Sequence, residues 1–284
     1  MTGAPGLEKG LYVVATPIGH ARDITLRALD VLAGCDRIAA EDTRVTAKLL
    51  AIHKIAKPLS AYNDHNAAQE RPRLLARLRE GAAIALVSDA GTPLVSDPGF
   101  KLVRAAIEEG IAVHAIAGAS AVLTGLALSG LPSDRFAFVG FLPAKAGERA
   151  AALRELNSWR TTLIFFESGP RLAESLAAMA ELLGSRPATI AREMTKLHEE
   201  IRRGTLADLA AHYASSPDPK GEVTVLVGPP HEVETDFTAI DVALDKALAF
   251  MPLKAAAEMI AGLTGAPRKQ IYAHGLARKG RDDG

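Results

Sequence analysis

At 284 residues the chain has room for one large domain or two, and its 33 basic residues cancel its 33 acidic ones. Without net charge there is no global field to draw it onto a polyanion, so any nucleic-acid binding falls to a local basic patch. The single cysteine, Cys35, excludes an internal disulfide and a thiolate-built metal site, and fits a reducing, cytoplasmic compartment.

The opening MTGAPGLEKG carries no basic stretch followed by an apolar run, so no signal peptide is expected. LYVVAT reads as a strand, and after Asp23 the residues Ile24, Ala28, Val31 and Leu32 share one helical face that stops at Gly34. RIAAE, a helix through Lys48-Leu49-Leu50, PLSAY, a helix from Asn66 to Glu80 and AAIALVSD follow in order. Next come a helix from about Pro98 to Glu109, the strand AVHAI and a helix after Ser120. This alternation predicts a mostly parallel sheet covered on both faces. Gly110 to Ser133 carries no Asp, Glu, Lys or Arg, a length that by itself suits a membrane span. Breaks at Gly118, Gly125 and Gly130 and a light Ala, Ser and Thr composition favour a buried strand, a tight turn and a buried helix instead.

A second α/β set begins near Leu131-Pro132-Ser133: FAFVGF, a charged helix from Lys145 to Trp159, TTLIFFE, a helix from Arg171 to Leu183, PATIARE, a strand around HEEIRRG, a helix near Leu206 to Tyr213, and EVTVLVG. After Pro229-Pro230 and a short acidic linker come two or three small helices, broken at Pro252 and at Gly265-Ala266-Pro267. From Met259 to Arg281 there is no acidic residue, while Arg268, Lys269, Arg278, Lys279 and Arg281 accumulate, so this is either the basic patch or an ordinary solvated tail. The fold class is therefore α/β, with an N-terminal α/β domain over 10–130, a C-terminal α/β domain over 131–230 and a small basic helical tail over 236–284.

Polar clusters stand directly after several strands: Thr16-Pro17, Glu41 to Arg44, Ser88-Asp89, Gly118 to Ser120, Glu167-Ser168 and Glu193 to Lys196. Ligand crevices of open α/β sheets lie outside the carboxyl ends of strands, so these clusters are expected to converge on one cleft. LVSDAGTPLVSDPG, residues 86–99, writes Leu-Val-Ser-Asp twice. The second copy, Ser96-Asp97-Pro98, precedes a helical face of Leu102, Val103, Ala106 and Ile107 and reads as an N-cap with proline in the first turn. The first copy precedes no helix; Asp89 beside Ala90-Gly91 reads as a site, because small residues let a ligand approach the backbone. Asp42 and Thr43 are expected to cap the helix after them, and His65 to be a turn or surface residue. Dinucleotide and P-loop glycine patterns, a nucleophile elbow and zinc-spaced ligands are absent from the sequence.

GLYVVATPIGHARDITLRAL, IAAEDTR, ALVSDAGTPLVSDPG, IAGASA, FVGFLP, FFESGPRL, AREMTK and KGEVTVLVG, in this order and spacing, resemble the ribosomal RNA small subunit methyltransferase I family. Its members are cytidine 2′-O-methyltransferases of 16S rRNA within the tetrapyrrole methylase superfamily. The resemblance runs from about Gly10 to Gly228, with Lys254 to Tyr272 similar to the family's tail. It implies two α/β domains of tetrapyrrole-methylase type with S-adenosyl-L-methionine in the cleft between them, and a homodimer. The implied substrate is a cytidine in the decoding region of 16S rRNA within the small ribosomal subunit, with no membrane partner and no metal. By position, Ser88, Asp89, Ala90, Gly91, Ser120, Ala121, Phe166, Glu167 and Thr195 would contact the cofactor. Pro17, with Glu41, Asp42 and Arg44, would lie on the substrate side. The chain departs from the family at Ala117-Gly118-Ala119-Ser120, usually Pro-Gly-Pro-Ser; at Ser168-Gly169-Pro170-Arg171, usually Ser-Pro-His-Arg; and at His20-Ala21, usually Asn-Leu.

Methyl transfer to a ribose hydroxyl needs an in-line approach and loss of a weakly acidic proton. Lys196 is a candidate base if burial lowers its pKa, and a phosphate contact otherwise; Glu193 is the second catalytic candidate, with Glu167 and Asp42 as rivals. Two other readings stay open: a methyltransferase acting on a corrinoid or porphyrin carbon, and a cofactor-binding ribosome-associated module without turnover.

Overall fold

Five strands of the first half, β1 (Gly10–Val14), β2 (Arg37–Ala40), β3 (Leu59–Ala61), β4 (Ala83–Val87) and β5 (Val113–Ile116), pair in the order β3-β2-β4-β1-β5. Every neighbouring pair is parallel. All five residues of the central strand β4 are buried, which is why it reads as a continuous apolar run rather than an alternating one. The computed structural model describes residues 7–230 and 237–282.

Helices α1 (Leu26–Gly34) and α2 (Thr43–Ile52) cover one face of this sheet through a cluster that includes Val14, Val31, Leu32, Ile38 and Leu50. On the opposite face, α3 (Ala67–Arg79) and α4 (Phe100–Glu108) close over Leu11, Leu74, Leu78, Ile84 and Leu102. The uncharged stretch from Gly110 to Ser133 resolves into β5 and α5 (Ala121–Ser129), which ends at Gly130 in the left-handed conformation, φ 74°. No helix among the described residues is long and apolar enough to cross a membrane.

The second sheet has the order β6-β7-β10-β8-β9, built from β6 (Phe136–Phe141), β7 (Thr162–Ser168), β8 (Pro187–Arg192), β9 (Glu200–Thr205) and β10 (Glu222–Val227). Only β6 and β7 run parallel; β10 is antiparallel to β7 and β8, and β8 to β9. Helices α6 (Ala146–Leu156), α7 (Gly169–Leu183) and α8 (Leu206–Ala214) bury Leu153, Phe165, Leu172, Leu176 and Tyr213 against one face. The other face takes α5, a helix contributed by the first half. Val122 and Leu126 pack there with Ile164, Ala191, Met194 and Leu226, joined by Ile18 from the loop after β1. Two polar ties anchor the end of α5: the Ser129 carbonyl accepts from Thr189 Oγ1 at 3.1 Å and from Arg203 Nε at 3.2 Å. This shared layer holds the loops at the carboxyl edge of the first sheet against the second sheet.

The chain divides after Pro230 into two compact units. In the second, α9 (Phe237–Leu248), α10 (Leu253–Thr264) and α11 (Arg268–Asp282) enclose Ile240, Leu244, Leu253, Ile260 and Ile271. The breaks fall where Pro252 precedes α10 and Gly265, at φ 72°, caps its end. Part of the basic run is neutralised within the unit. Arg278 bonds Asp241 and Asp245 at 2.7 and 2.8 Å, and His274 Nε2 lies 2.7 Å from Asp241. The acidic linker before Asp236 and the side chains of Lys279 and Arg281 lie outside the described residues.

Candidate functional site

The loop from Ser88 to Gly99 leaves β4 at the carboxyl edge of the parallel sheet and is pinned at its start. Thr16 and Gly91 exchange backbone hydrogen bonds, 2.8 Å from the Thr16 N–H and 3.0 Å from the Gly91 N–H. Gly91 sits at φ 77°, and a β-carbon there would stand 3.3 Å from Ile18 Cγ2, so both conformation and space ask for glycine. Asp89 is tied to the neighbouring strand end in both directions: its carboxylate accepts the Asp42 N–H at 2.9 Å, and its own N–H donates to Glu41 Oε2 at 3.3 Å. Burial is the main reason that Asp89 and Glu41 are both raised above the ordinary carboxylate range.

The second Ser-Asp pair corrects the sequence reading. Helix α4 is capped by Gly99, at φ 130°, with no side-chain cap bond, and its first residue is Phe100, beyond Pro98. Leu94 at φ 77° and Ser96 at φ 65° lie in the left-handed region, and this turn brings Ser96 and Asp97 to the wall of the cleft. Burial pushes the Asp97 carboxyl up to about 6, against a hydrogen bond from Ser88, with Glu41, Asp89 and Glu222 adding repulsion. Asp42 does cap its helix. It accepts the Arg44 N–H at 2.8 Å and meets the Arg44 guanidinium at 2.6 Å, and these bonds hold it down at about 2. His65 is exposed, as expected of a turn residue.

A cleft of about 290 Å³ lies between the two sheets. It brings together Glu41, Asp89, Ala90, Gly91, Ser120, Ala121, Phe166 and Glu167 from the sequence-predicted set. Ser120 and Ala121 arrive at the start of α5; Phe166 and Glu167 come from the end of β7. The Glu167 carboxylate is engaged, accepting the Ser168 N–H at 2.9 Å and the Ser175 hydroxyl at 2.6 Å. Asp42, Arg44, Glu193 and Thr195 do not line this cleft; Ser88, Pro17 and Lys196 line the cavity next to it. Residues that the sequence did not assign to the site complete the wall, among them Asp97, Phe141, Glu222 and Thr224. The repeat of Ser-Asp is the available signal for Asp97. Glu222 has none, because it reaches the site through the antiparallel register of β10, which sets it opposite Ser168, with Val223 opposite Arg192 one step on. Among the described residues, five carboxylates line the cleft and no Lys or Arg does.

The adjoining cavity, about 390 Å³, shares Ile18, Asp89, Ala90 and Glu222 with the cleft and adds Pro17, Lys196 and the α2 side chains Val45, Leu49 and Ile52. Lys196 Nζ lies 2.8 Å from Glu193 Oε1 and 2.9 Å from Glu222 Oε2. Burial pulls its pKa down, but these two carboxylates outweigh burial and hold it above the ordinary lysine value. The lowered pKa that a base role requires is therefore not met in this arrangement. Glu193 stands at φ 50° and Thr195 at φ 64°; Thr195 Oγ1 accepts the His20 N–H at 3.1 Å. A β-carbon on Gly19 would come within 2.6 Å of Thr195 Oγ1, which shows how tightly the loop after β1 lies on this turn.

The family model Tetrapyrrole (Corrin/Porphyrin) Methylases matches residues 10–210, and the model named RsmI C-terminal HTH domain matches residues 234–279. A protein of Mesorhizobium japonicum named ribosomal RNA small subunit methyltransferase I is 51% identical over 282 residues, 98% of this chain and 96% of that protein. One of the same name from Pseudomonas aeruginosa is 46% identical over 277 residues, 95% of this chain and 98% of that protein. Among solved structures, the cobalamin biosynthetic enzyme cobalt precorrin-4 methyltransferase aligns with a TM-score of 0.58 at 20% identity, covering 77% of this chain and 94% of that one. A uroporphyrin-III C-methyl transferase from Thermus thermophilus, in complex with S-adenosyl homocysteine, gives 0.55 at 19% identity, covering 76% and 96%. At these identities the two structures speak for the fold alone.

Proposed function

Because the chain belongs to the tetrapyrrole methylase family, in the group named ribosomal RNA small subunit methyltransferase I, we propose that it transfers a methyl group from S-adenosyl-L-methionine to the ribose 2′-hydroxyl of a cytidine in the decoding region of 16S rRNA. The assembled small subunit is the substrate in this reading, and the enzyme is a cytoplasmic homodimer whose two α/β domains span 10–130 and 131–230. The observation that carries the cofactor assignment is the lining of the cleft. Glu41, Asp89, Asp97, Glu167 and Glu222 gather there, with no lysine or arginine among the described lining residues, which suits a ligand bearing a sulfonium and an ammonium and repels a polyanion. Phe141 and Phe166 supply the aromatic surface for its purine, and Ala90, Gly91 and Ala121 leave the backbone open to it.

When bound, the cofactor supplies an electrophilic methyl group. The chain's own contribution is position, which is worth up to about 7–11 kcal/mol when the reactants are well oriented. The target ribose enters the adjoining cavity, whose wall is Pro17, the apolar face of α2 and Lys196, and whose border with the cleft is Asp89, Ala90 and Glu222. Lys196, held protonated by its carboxylate partners, donates a hydrogen bond to the ribose oxygen. Glu193 acts through Lys196 as a positioning residue, and Glu222, which bonds the same ammonium and faces both cavities, takes the hydroxyl proton. Proton removal of this kind contributes about a hundred- to ten-thousandfold.

The test is tritium transfer from labelled S-adenosyl-L-methionine to purified small subunits of a strain lacking the activity, with wild type beside Asp89→Ala. Label at one ribose, seen as resistance to alkaline cleavage and lost in the variant, is the expected result. Label that leaves every ribose open to alkali would mean methylation of a base and would refute the 2′-O assignment. A chain that binds the cofactor yet labels no RNA would refute the rRNA reading altogether.

A further inference from the structure

A third cavity, of about 240 Å³, opens on the α3 and α4 side of the first sheet and shares Asp97 with the acidic cleft. The residues that give it character are Tyr62, Asp64, Arg71, Phe100 and Lys101. Phe100, the first residue of α4, is 64% exposed although it is a large aromatic at a helix start. Tyr62 is 1% exposed, and its hydroxyl has no hydrogen-bond partner among the described residues. Arg71 and Lys101 likewise form no ion pair among the described residues. Gly99 leaves the N-terminus of α4 without a side-chain cap. Thus two unpaired cations, open backbone donors, an unpartnered phenol and an exposed ring surround one hollow, beside a cleft whose charged lining residues, among those described, are all carboxylates.

Resting on the methyltransferase reading, we infer that this cavity is a second nucleotide subsite, holding another residue of the single-stranded RNA segment that carries the methylated one. A phosphate finds no cation on the described walls of the cleft. On its border, Lys196 is taken up by Glu193 and Glu222, whereas the hollow between Arg71, Lys101 and the open end of α4 offers cations without a carboxylate partner among the described residues. Tyr62 donates its hydroxyl to the same group. The base stacks on the Phe100 ring, as unstacked bases do on aromatic side chains, and Asp64 accepts from its exocyclic amine. Asp97 separates the two ligands and repels the phosphate from the cofactor side.

The experiment measures binding of the full chain to fluorescein-labelled single-stranded oligocytidylate by anisotropy across a salt series, and separately kcat and KM for methylation of small subunits. Phe100→Ala should weaken oligonucleotide binding by about five- to a hundredfold and raise KM, with Phe100→Tyr close to wild type. Arg71→Ala with Lys101→Ala should lower the slope of log affinity against log salt by about 0.7, the one phosphate that the pair neutralises on a single strand. S-adenosyl-L-methionine affinity should stay unchanged in all of them, since none of these side chains lines the cleft. The inference is overturned if wild type fails to bind oligocytidylate at low salt, if the variants keep its affinity and slope, or if Phe100→Ala alters only the oligomeric state. A wild type that binds the oligonucleotide through these residues but methylates nothing would refute the functional reading and leave the subsite standing.

Discussion

Asp89 accepts the backbone N–H of Asp42 at 2.9 Å, so the residue that faces the cleft also locks the start of α2 to the loop after β4. Removing its carboxylate therefore has two separable effects. Asp89→Ala should weaken S-adenosyl-L-methionine binding by about ten- to a hundredfold, the usual range for a hydrogen bond to a charged group. It should also cost about 1 kcal/mol of stability by leaving the Asp42 N–H to solvent. Asp89→Asn keeps an acceptor for that N–H and should restore most of the stability without the affinity. Calorimetric titration and thermal melts of the two variants check this; equal affinity in Asp89→Ala and wild type would remove Asp89 from the cofactor site.

Gly221 offers a way to disturb Lys196 without touching it. At φ 94° it lies in the left-handed region, and a β-carbon there would overlap the Glu193 carboxylate, which is itself bonded to Lys196. Gly221→Ala should displace Glu193, free Lys196 from one of its two partners and destabilise the fold by about 1–3 kcal/mol. The kinetic signature is a fall in kcat larger than any rise in KM. Lys196→Met should lower kcat further, and near-normal turnover in that variant at saturating substrate would dismiss the role proposed for the ammonium.

The order of strands and helices is legible because each element carries its own period: the buried run AIALV of β4, the single apolar face of α1, the proline and glycine breaks around α10. Strand direction in the second sheet is not, since β8, β9 and β10 have the same local pattern whichever way they pair. At the site, Asp89 stands out because no helix follows it to use an N-cap. The same logic makes Asp97 a cap, and there it fails, because Leu94 and Ser96 adopt left-handed backbone that sequence propensity does not favour for them. Glu222 and Phe141 arrive through tertiary pairing alone.

The second compact unit makes a prediction about salt. Arg278 is paired with Asp241 and Asp245, while Lys269 is exposed and forms no ion pair among the described residues. A chain ending at Pro230 keeps the first unit whole. It should bind small subunits more weakly than the full chain and with a shallower dependence on salt, by about 0.7–0.9 in log–log slope for each phosphate that the second unit neutralises. Filter binding across a salt series measures both, and an unchanged slope would make the basic run an ordinary solvated surface.

Asp97 gives the pH dependence. Burial raises its carboxyl to about 6 in the folded chain, above the ordinary aspartate value of 3.8. The folded state then takes up this proton before the unfolded state does, so the group's contribution to stability grows as pH falls from above 6 toward 4, and its charge weighs on the fold at higher pH. Asp97→Asn should melt at a higher temperature than wild type at about pH 8, with the difference closing toward about pH 4. Cofactor binding runs the opposite way. Protonating Asp97 removes one negative charge from a cleft that receives a cation, so wild-type affinity should fall as pH drops through about 6, and in Asp97→Asn that step should be absent. Melts by circular dichroism and calorimetric titration over the same pH series read both effects, and a variant that kept the wild-type step in affinity would assign it to Asp89 or Glu41, the other raised carboxyls on the wall.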